Sequence, residues 1–250
     1  LEIVEATVES KWIRCTLFVF LIMAKRPVFI PRISGPDFVT AIPVEFVWHP
    51  GMSKSQKQKS IRSLHEAAAQ TKGIRRILEI SGKSEDETGV RLSAFNLRVQ
   101  LIDDVSVSVE ALFQGSKVFS NGGPFTDIYL KDSREAKKDE RVRASGQLIG
   151  FRCDNRDWPL YPQTVFYDWL YVSALRQNPA LAAKILEYDG FSDIEFNPEK
   201  SINCQAASAA LYKALVGRGL FDAAMSSPEE FIKMHEDHKK NAVPIQGELF

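Results

Sequence analysis

The segment VSVEALFQGSKVF, residues 107–119, is apolar except along one line. At about 100° per residue on a helix, with Glu110 at 0°, Gln114 falls near 40° and Lys117 near 340°, a polar stripe roughly 60° wide. Ala111, Leu112, Phe113, Val118 and Phe119 flank it. An ordinary surface helix has the wider face polar, so the reversed proportions predict a helix that walls a cleft. Glu110 and Lys117 would lie about 10 Å apart along the axis, suited to bracketing one substrate. A buried ion pair or a partner interface would use the same residues.

The rest of the chain alternates extended and helical patterns. VFIPRI and AIPVEFVWHPG read as short strands that their prolines confine to edges. A helix follows, with Ser53 and Gln56 as a capping box, Ile61, Leu64 and Ala68 on its buried face, and Gly73 at its stop. Its other face carries Lys54, Lys57, Lys59 and Arg62, either solvated or set against a phosphate backbone. ILEIS, RLSAFNLRVQLI and VSVSV read as strands. After the NGGPF turn, SREAKKDERVRASG reads as one charged helix with Ser133 as N-cap and Gly146 past its end. Three more helices follow: QTVFYDWLYVSALRQ, a segment with Asn178 as cap and Pro179 first, and INCQAASAALYKALVG, whose alanines permit close packing. Ser227 and Glu230 cap a last one, SSPEEFIKMHEDHKK. The pattern predicts an α+β fold, a single mostly helical domain with a small β-sheet.

Composition changes this picture little. The 250 residues are 44% hydrophobic, enough for a large core. Lys plus Arg and Asp plus Glu are 32 each, so any anion site must be a local cluster; the densest is Arg134, Lys137, Lys138, Arg141 and Arg143. Cys15, Cys153 and Cys204 form no CxxC pair, which predicts a reducing, cytosolic compartment. CTLFVFLIM, residues 15–23, is too short for a bilayer, which needs about 20 residues, and charge follows it at once. Residues 1–22 are therefore expected to be an upstream-translated N-terminal extension, with MAKRPVFIP as the start of a domain over 23–225 and a C-terminal helix and tail over 226–250.

The chemistry narrows by elimination. His235 and His238 share a helix face without an evident third ligand, so no metal and no cofactor are expected. G-x-S-x-G, the P-loop and G-x-G-x-x-G are absent. Carboxylate and lysine chemistry is left. A Glu in an apolar cleft can hold or accept a proton near neutral pH, and a desolvated Lys becomes a nucleophile toward a carbonyl or an opened sugar.

SAFNL (93–97) followed by VSVEALFQGSKVF resembles the NADAR superfamily pattern, F-x-S-N-F then S-x-E-H-x-x-Q-A-x-K-F. RDWPLYPQTVFYDWLYVSAL, NPALAAKIL and SDIEFN match later blocks in the same order, over about residues 77–216. The opening MAKRPVFIP through KSIRSLHEAAA looks most like the NADAR antitoxins encoded beside DarT ADP-ribosyltransferases. The resemblance implies an N-glycosidase that removes ADP-ribose from guanine in DNA and so reverses the toxin. N-glycosides of riboflavin-pathway or other nucleotides are the alternative substrates, and a non-enzymatic DNA-associated module is the alternative class.

Carried over by position, Glu110 matches the catalytic Glu, Asn96 the strand-motif Asn, Lys117 the terminal Lys and Trp158 the pocket Trp. Glu195 falls on the acidic turn, and Lys83 is a second candidate for a Schiff-base lysine. Gln114 would bind substrate, Lys137, Lys138 or Arg141 the pyrophosphate, and Trp158 would stack on a ring. Two positions depart: Ala111 replaces the His after the Glu, and SINCQ replaces a W-G stretch. The implied partners are ADP-ribosylated DNA and a DarT toxin, with no membrane. QGELF (246–250) also resembles a sliding-clamp docking peptide, with Gln246, Leu249 and Phe250 as anchors.

Overall fold

The computed structural model describes residues 22–101, 104–199 and 201–241. The clamp-peptide anchors Gln246, Leu249 and Phe250 lie outside them. The fold is α+β, but its strands form three small sheets where one was expected.

The first sheet runs in the order β2 (Val39–Trp48), β1 (Ile22–Pro31), β9 (Gly190–Ser192), β3 (Ile77–Glu79). Strands β1 (Ile22–Pro31) and β2 (Val39–Trp48) pair antiparallel along their whole length, Pro27 opposite Pro43. β2 is the edge its proline predicts, whereas β1 is interior and meets β9 (Gly190–Ser192) only at Phe29, clear of Pro27. β9 runs parallel to β3 (Ile77–Glu79). Helix α1 (Lys54–Lys72) packs Ile61, Leu64 and Ala68 onto this sheet against Val28, Val44 and Phe46. It starts and stops as expected: Ser53 accepts from the Gln56 amide, and Gly73 adopts φ 69°. Its charged face differs from expectation, because Lys57 is buried, with its ammonium 4.7 Å from the Trp48 ring and 3.3 Å from Glu195.

The larger core gathers α6 (Val165–Gln177), α8 (Gln205–Gly217) and, past the short α9 (Phe221–Ala224), α10 (Pro228–Asn241) around Phe166, Tyr171, Leu215 and Phe231. Ala206, Ala209, Ala210 and Ala214 of α8 are fully buried, which is the close packing their size permits. Pro179 opens α7 (Pro179–Ile185), while the Asn178 side chain makes no cap and donates to Arg98 O and Ala174 O.

Three predicted elements are shorter than the pattern implied. RLSAFNLRVQLI is no continuous strand: α2 (Glu87–Arg91) ends there, residues 92–97 turn, and β4 (Arg98–Gln100) pairs with β5 (Ser106–Ser108). Distant partners hold the turn, the Tyr171 hydroxyl donating to Leu92 O and the Ala94 amide to Gln205 Oε1. The charged helix breaks into α4 (Ser133–Lys138) and α5 (Arg141–Ala144) because the Asp139 carboxylate accepts from the Arg141 backbone and side chain. Asp132, not Ser133, caps α4; the Ser133 hydroxyl lies instead 2.9 Å from Phe95 O and 2.7 Å from Ser108 Oγ.

The third is the seam itself. Helix α3 (Val109–Gly115) stops seven residues in, where the Ser116 hydroxyl donates to Leu112 O, and Lys117 begins β6 (Lys117–Phe119). β6 joins β7 (Leu148–Cys153) and β8 (Arg156–Trp158) in the third sheet.

Candidate active site

Serine 108 starts the site. Its hydroxyl accepts from the Ala111 amide at 3.1 Å, fixing the first turn of α3, and every residue of that helix is buried. The Glu110 amide donates to Ala94 O at 2.9 Å, so the 92–97 turn and α3 set each other's position. The Glu110 side chain is 7% exposed and its Oε1 accepts from Gln114 Nε2 at 3.0 Å. Gln114 Oε1 in turn accepts from Lys117 Nζ at 2.7 Å. The stripe therefore survives the end of the helix as a hydrogen-bonded chain, carboxylate to amide to amine.

Two cations border the carboxylate differently. Lys137 on α4 places Nζ 3.8 Å from Glu110 Oε1 with its side chain 59% exposed, and 5.3 Å from the Phe95 ring. Lys117 sits 4.9 Å from the Phe113 ring. Burial pushes the Lys117 amine down from 10.5 to about 8, opposed by the Glu110 charge and aided by Lys137. A sizeable share of it is thus free amine at physiological pH. The buried Tyr167 hydroxyl, against which Glu110 also acts, is pushed well above its usual value by desolvation and stays protonated.

Beside Phe113 of this helix, β7, residues 159–164 and the start of α6 border a cleft of about 120 Å³. Its wall is mainly apolar, with Phe113, Phe151, Phe166 and Tyr167, and the SINCQ segment contributes Ile202 and Asn203. Trp158 is absent from this lining. It is 4% exposed, its ring against Phe166 at 5.3 Å and Trp169 at 5.4 Å.

Comparison with protein families matches residues 24–244 to the DarT1-associated NADAR antitoxins. The chain belongs to that family. No protein of curated function matches it. The NADAR match takes in the opening block MAKRPVFIP through KSIRSLHEAAA and extends beyond the blocks visible in the sequence through α10.

Of the residues nominated for this NADAR site, Glu110, Gln114, Lys117 and Lys137 come together. Others are engaged elsewhere. Arg141 spans Asp127 and Asp139, which hold its guanidinium charge while it depresses both carboxyls, so it is not a spare cation for pyrophosphate. Glu195 is exposed and paired with Lys57. Asn96 is exposed, its amide donating to Val90 O to close the turn. Lys83 is half-buried in the turn after β3, its backbone amide bound to Ser81 Oγ, and Lys138 is exposed. Among the described residues no group of three His, Cys, Asp or Glu is placed to hold a metal, and no helix is long and apolar enough to cross a membrane.

A second acidic unit escaped the sequence reading. Glu79 is 2% exposed and accepts from Ser81 Oγ, Ser192 Oγ and the Ile194 amide; Asp193 is 8% exposed and accepts from Gln205 Nε2 at 2.9 Å. Burial raises both, aided at Glu79 by the charge of Glu195 and at Asp193 by the charges of Glu79 and Glu195. Gln205 ties this pair to the site, because its Oε1 accepts from Ala94, whose carbonyl holds Glu110. The available signal was Glu79 itself, a carboxylate inside the apolar strand ILEIS.

Proposed function

We propose that the protein is an N-glycosidase that releases ADP-ribose from modified guanine in DNA, opposing a DarT-type ADP-ribosyltransferase. The observation that carries this reading is the chain Glu110 to Gln114 to Lys117, closed at one end by a buried carboxylate and at the other by an amine with a pKa of about 8. Family membership supports the antitoxin role. In the reaction, Glu110 carries protons between the distal ribose and the guanine amine. The free Lys117 amine adds to the anomeric carbon of the opened sugar, forming a carbon–nitrogen bond as the bond to guanine breaks and the base leaves with a proton. Water then hydrolyses the imine, returning ADP-ribose and the lysine. Lys137 and Lys138 supply positive charge for the pyrophosphate, Lys137 by turning from its long 3.8 Å contact with Glu110.

The test is release of ADP-ribose from an oligonucleotide ADP-ribosylated on guanine, followed by mass spectrometry of products and of borohydride-trapped protein. Wild type is expected to release it, with the trapped mass on Lys117, and Glu110→Gln to lose 100-fold or more, the scale of a general acid–base contribution. No release by wild type, or undiminished release by Glu110→Gln, overturns the assignment.

A further inference from the structure

Gln205 opens α8 at the end of the SINCQ stretch, and its half-buried side chain joins three other segments of the chain. Oε1 accepts from the Ala94 amide at 2.6 Å. Nε2 donates to Ile80 O at 2.6 Å, just past β3, and to Asp193 Oδ2 at 2.9 Å, just past β9. Both amide hydrogens and the carbonyl oxygen are thus in use. The bonding also fixes which way the amide faces. A flipped side chain would set its NH2 against the Ala94 N–H and its oxygen against the Ile80 carbonyl and the Asp193 carboxyl.

Ala94 is the residue on which the start of α3 rests. A helix leaves its first amides without partners of its own. Here the Glu110 amide donates to Ala94 O at 2.9 Å and the Val109 amide to Leu97 O at 3.0 Å, so the 92–97 turn sets where α3 begins. Tyr171 holds that turn two residues before Ala94, at Leu92 O, and the Ser133 hydroxyl lies 2.9 Å from Phe95 O, one residue after it. Gln205 grips Ala94 itself. A seven-residue helix is too short to keep a position by its own hydrogen bonds, so the Glu110 backbone stands where the turn puts it. Burying the Asp193 carboxyl disfavours the fold unless it is bonded. What it supplies in return is an acceptor that commits the Gln205 amide to one orientation.

We propose that Gln205 is a positioning residue for the reaction: oriented by Asp193 and Ile80, it fixes Ala94, and through Ala94 the backbone that carries the Glu110 carboxylate. The inference rests on the N-glycosidase reading and adds what sets its acid–base residue in place. Gln205 acts through Glu110, so its effect falls on the chemical step. Misplacing a catalytic group by about 1 Å costs on the order of 100-fold. Lys137 and Lys138 sit on α4, outside the clasp, and leave substrate binding unaltered when the clasp is cut. The SINCQ stretch, where the family pattern has W-G, thereby gains a role: it ends in the side chain that holds the turn beneath Glu110.

The test joins kinetics to hydrogen exchange on the full-length protein. Gln205→Met keeps the side-chain volume and removes all three bonds. It is expected to lower kcat for release of ADP-ribose from the guanine-modified oligonucleotide by about tenfold or more, with KM within about twofold of wild type. In a Glu110→Gln background the same substitution should cost less than about twofold, because a residue that acts through Glu110 then has nothing left to position. Exchange of the Ala94 and Glu110 amides, followed by NMR, should be about tenfold faster or more, with the Leu64 amide of α1 unchanged. If Gln205→Met does not fold, Gln205→Asn, one methylene short of spanning the three partners, carries the same comparisons. An unchanged kcat, an equal loss in both backgrounds or unchanged exchange at Glu110 overturns the assignment, the equal loss by marking a merely structural role. No release by wild type sinks the N-glycosidase reading instead, and the exchange rates still decide whether Gln205 holds Glu110.

Discussion

Replacing Lys117 by Met should trade activity for stability, with a sign that depends on pH. The amine titrates at about 8 in the folded protein against 10.5 in an unfolded chain. That separation corresponds to a penalty of about 3 kcal/mol on the folded state when the lysine is charged in both states. The unfolded chain binds the extra proton between the two values, so the penalty is complete below about pH 8, shrinks as pH rises and is gone above 10.5. Methionine fills similar volume without a charge, but it leaves Gln114 Oε1 without its 2.7 Å bond from Lys117, a cost of about 2 kcal/mol. The variant should therefore be more stable than wild type by about 1 kcal/mol at pH 7 and less stable by about 2 kcal/mol above pH 10.5. Paired urea titrations at several pH values measure this, since the titrating groups remote from Lys117 are shared and cancel in the difference. Borohydride trapping should follow the same group, rising in wild type with a midpoint near pH 8 and absent in the variant. A stability difference that stays flat from pH 7 to 10.5 would refute the argument.

Two further substitutions probe the frame around the site. An added Cβ at Gly115 would lie 2.6 Å from the Tyr129 ring and 2.8 Å from Phe125 O, a backbone atom that cannot swing aside. Gly115→Ala should cost about 1–3 kcal/mol in urea unfolding, and a neutral result would mean the end of α3 is looser than these distances state. Asp193 titrates at about 8 in the fold because burial holds its proton. Its contribution to stability is thus present below its ordinary carboxyl range and falls as pH rises through that window toward 8. Asn does not titrate, so Asp193→Asn should gain on wild type by at least about 1 kcal/mol between pH 4 and pH 8, and parallel pH profiles of the two would contradict the burial argument.

How far the sequence could be read depended on where each element finds its partners. Helix α1 was legible to the residue because Ser53, Gln56 and Gly73 act within one turn of its ends. SAFNL was misread as strand because Tyr171 and Gln205, 79 and 111 residues downstream, hold the backbone groups that a strand would have used. The seam was legible as a set of residues and not as a shape. Its helix stops at Gly115, yet Gln114 still reaches both Glu110 and Lys117, since its side chain replaces the missing turn. Glu195 drew attention in the acidic turn because it stands in the open sequence pattern, while Asp193 is buried by the parallel pairing of β3 and β9, elements more than a hundred residues apart. No local pattern carries that information.

The Ala111 departure becomes intelligible on the same terms. Ala111 is fully buried and packs with Ile128 and Ala136, the latter on α4. Two small side chains facing each other let α4 approach α3 closely, and the next residue of α4 is Lys137, the cation 3.8 Å from Glu110. A histidine at 111 would occupy the space that Ala136 fills and push α4, with Lys137, away from the carboxylate. The His of the family pattern and the Lys137 contact are therefore alternatives that cannot share this geometry. In this chain a positive partner of Glu110 comes from a neighbouring helix, and on its own helix the carboxylate accepts from the Gln114 amide.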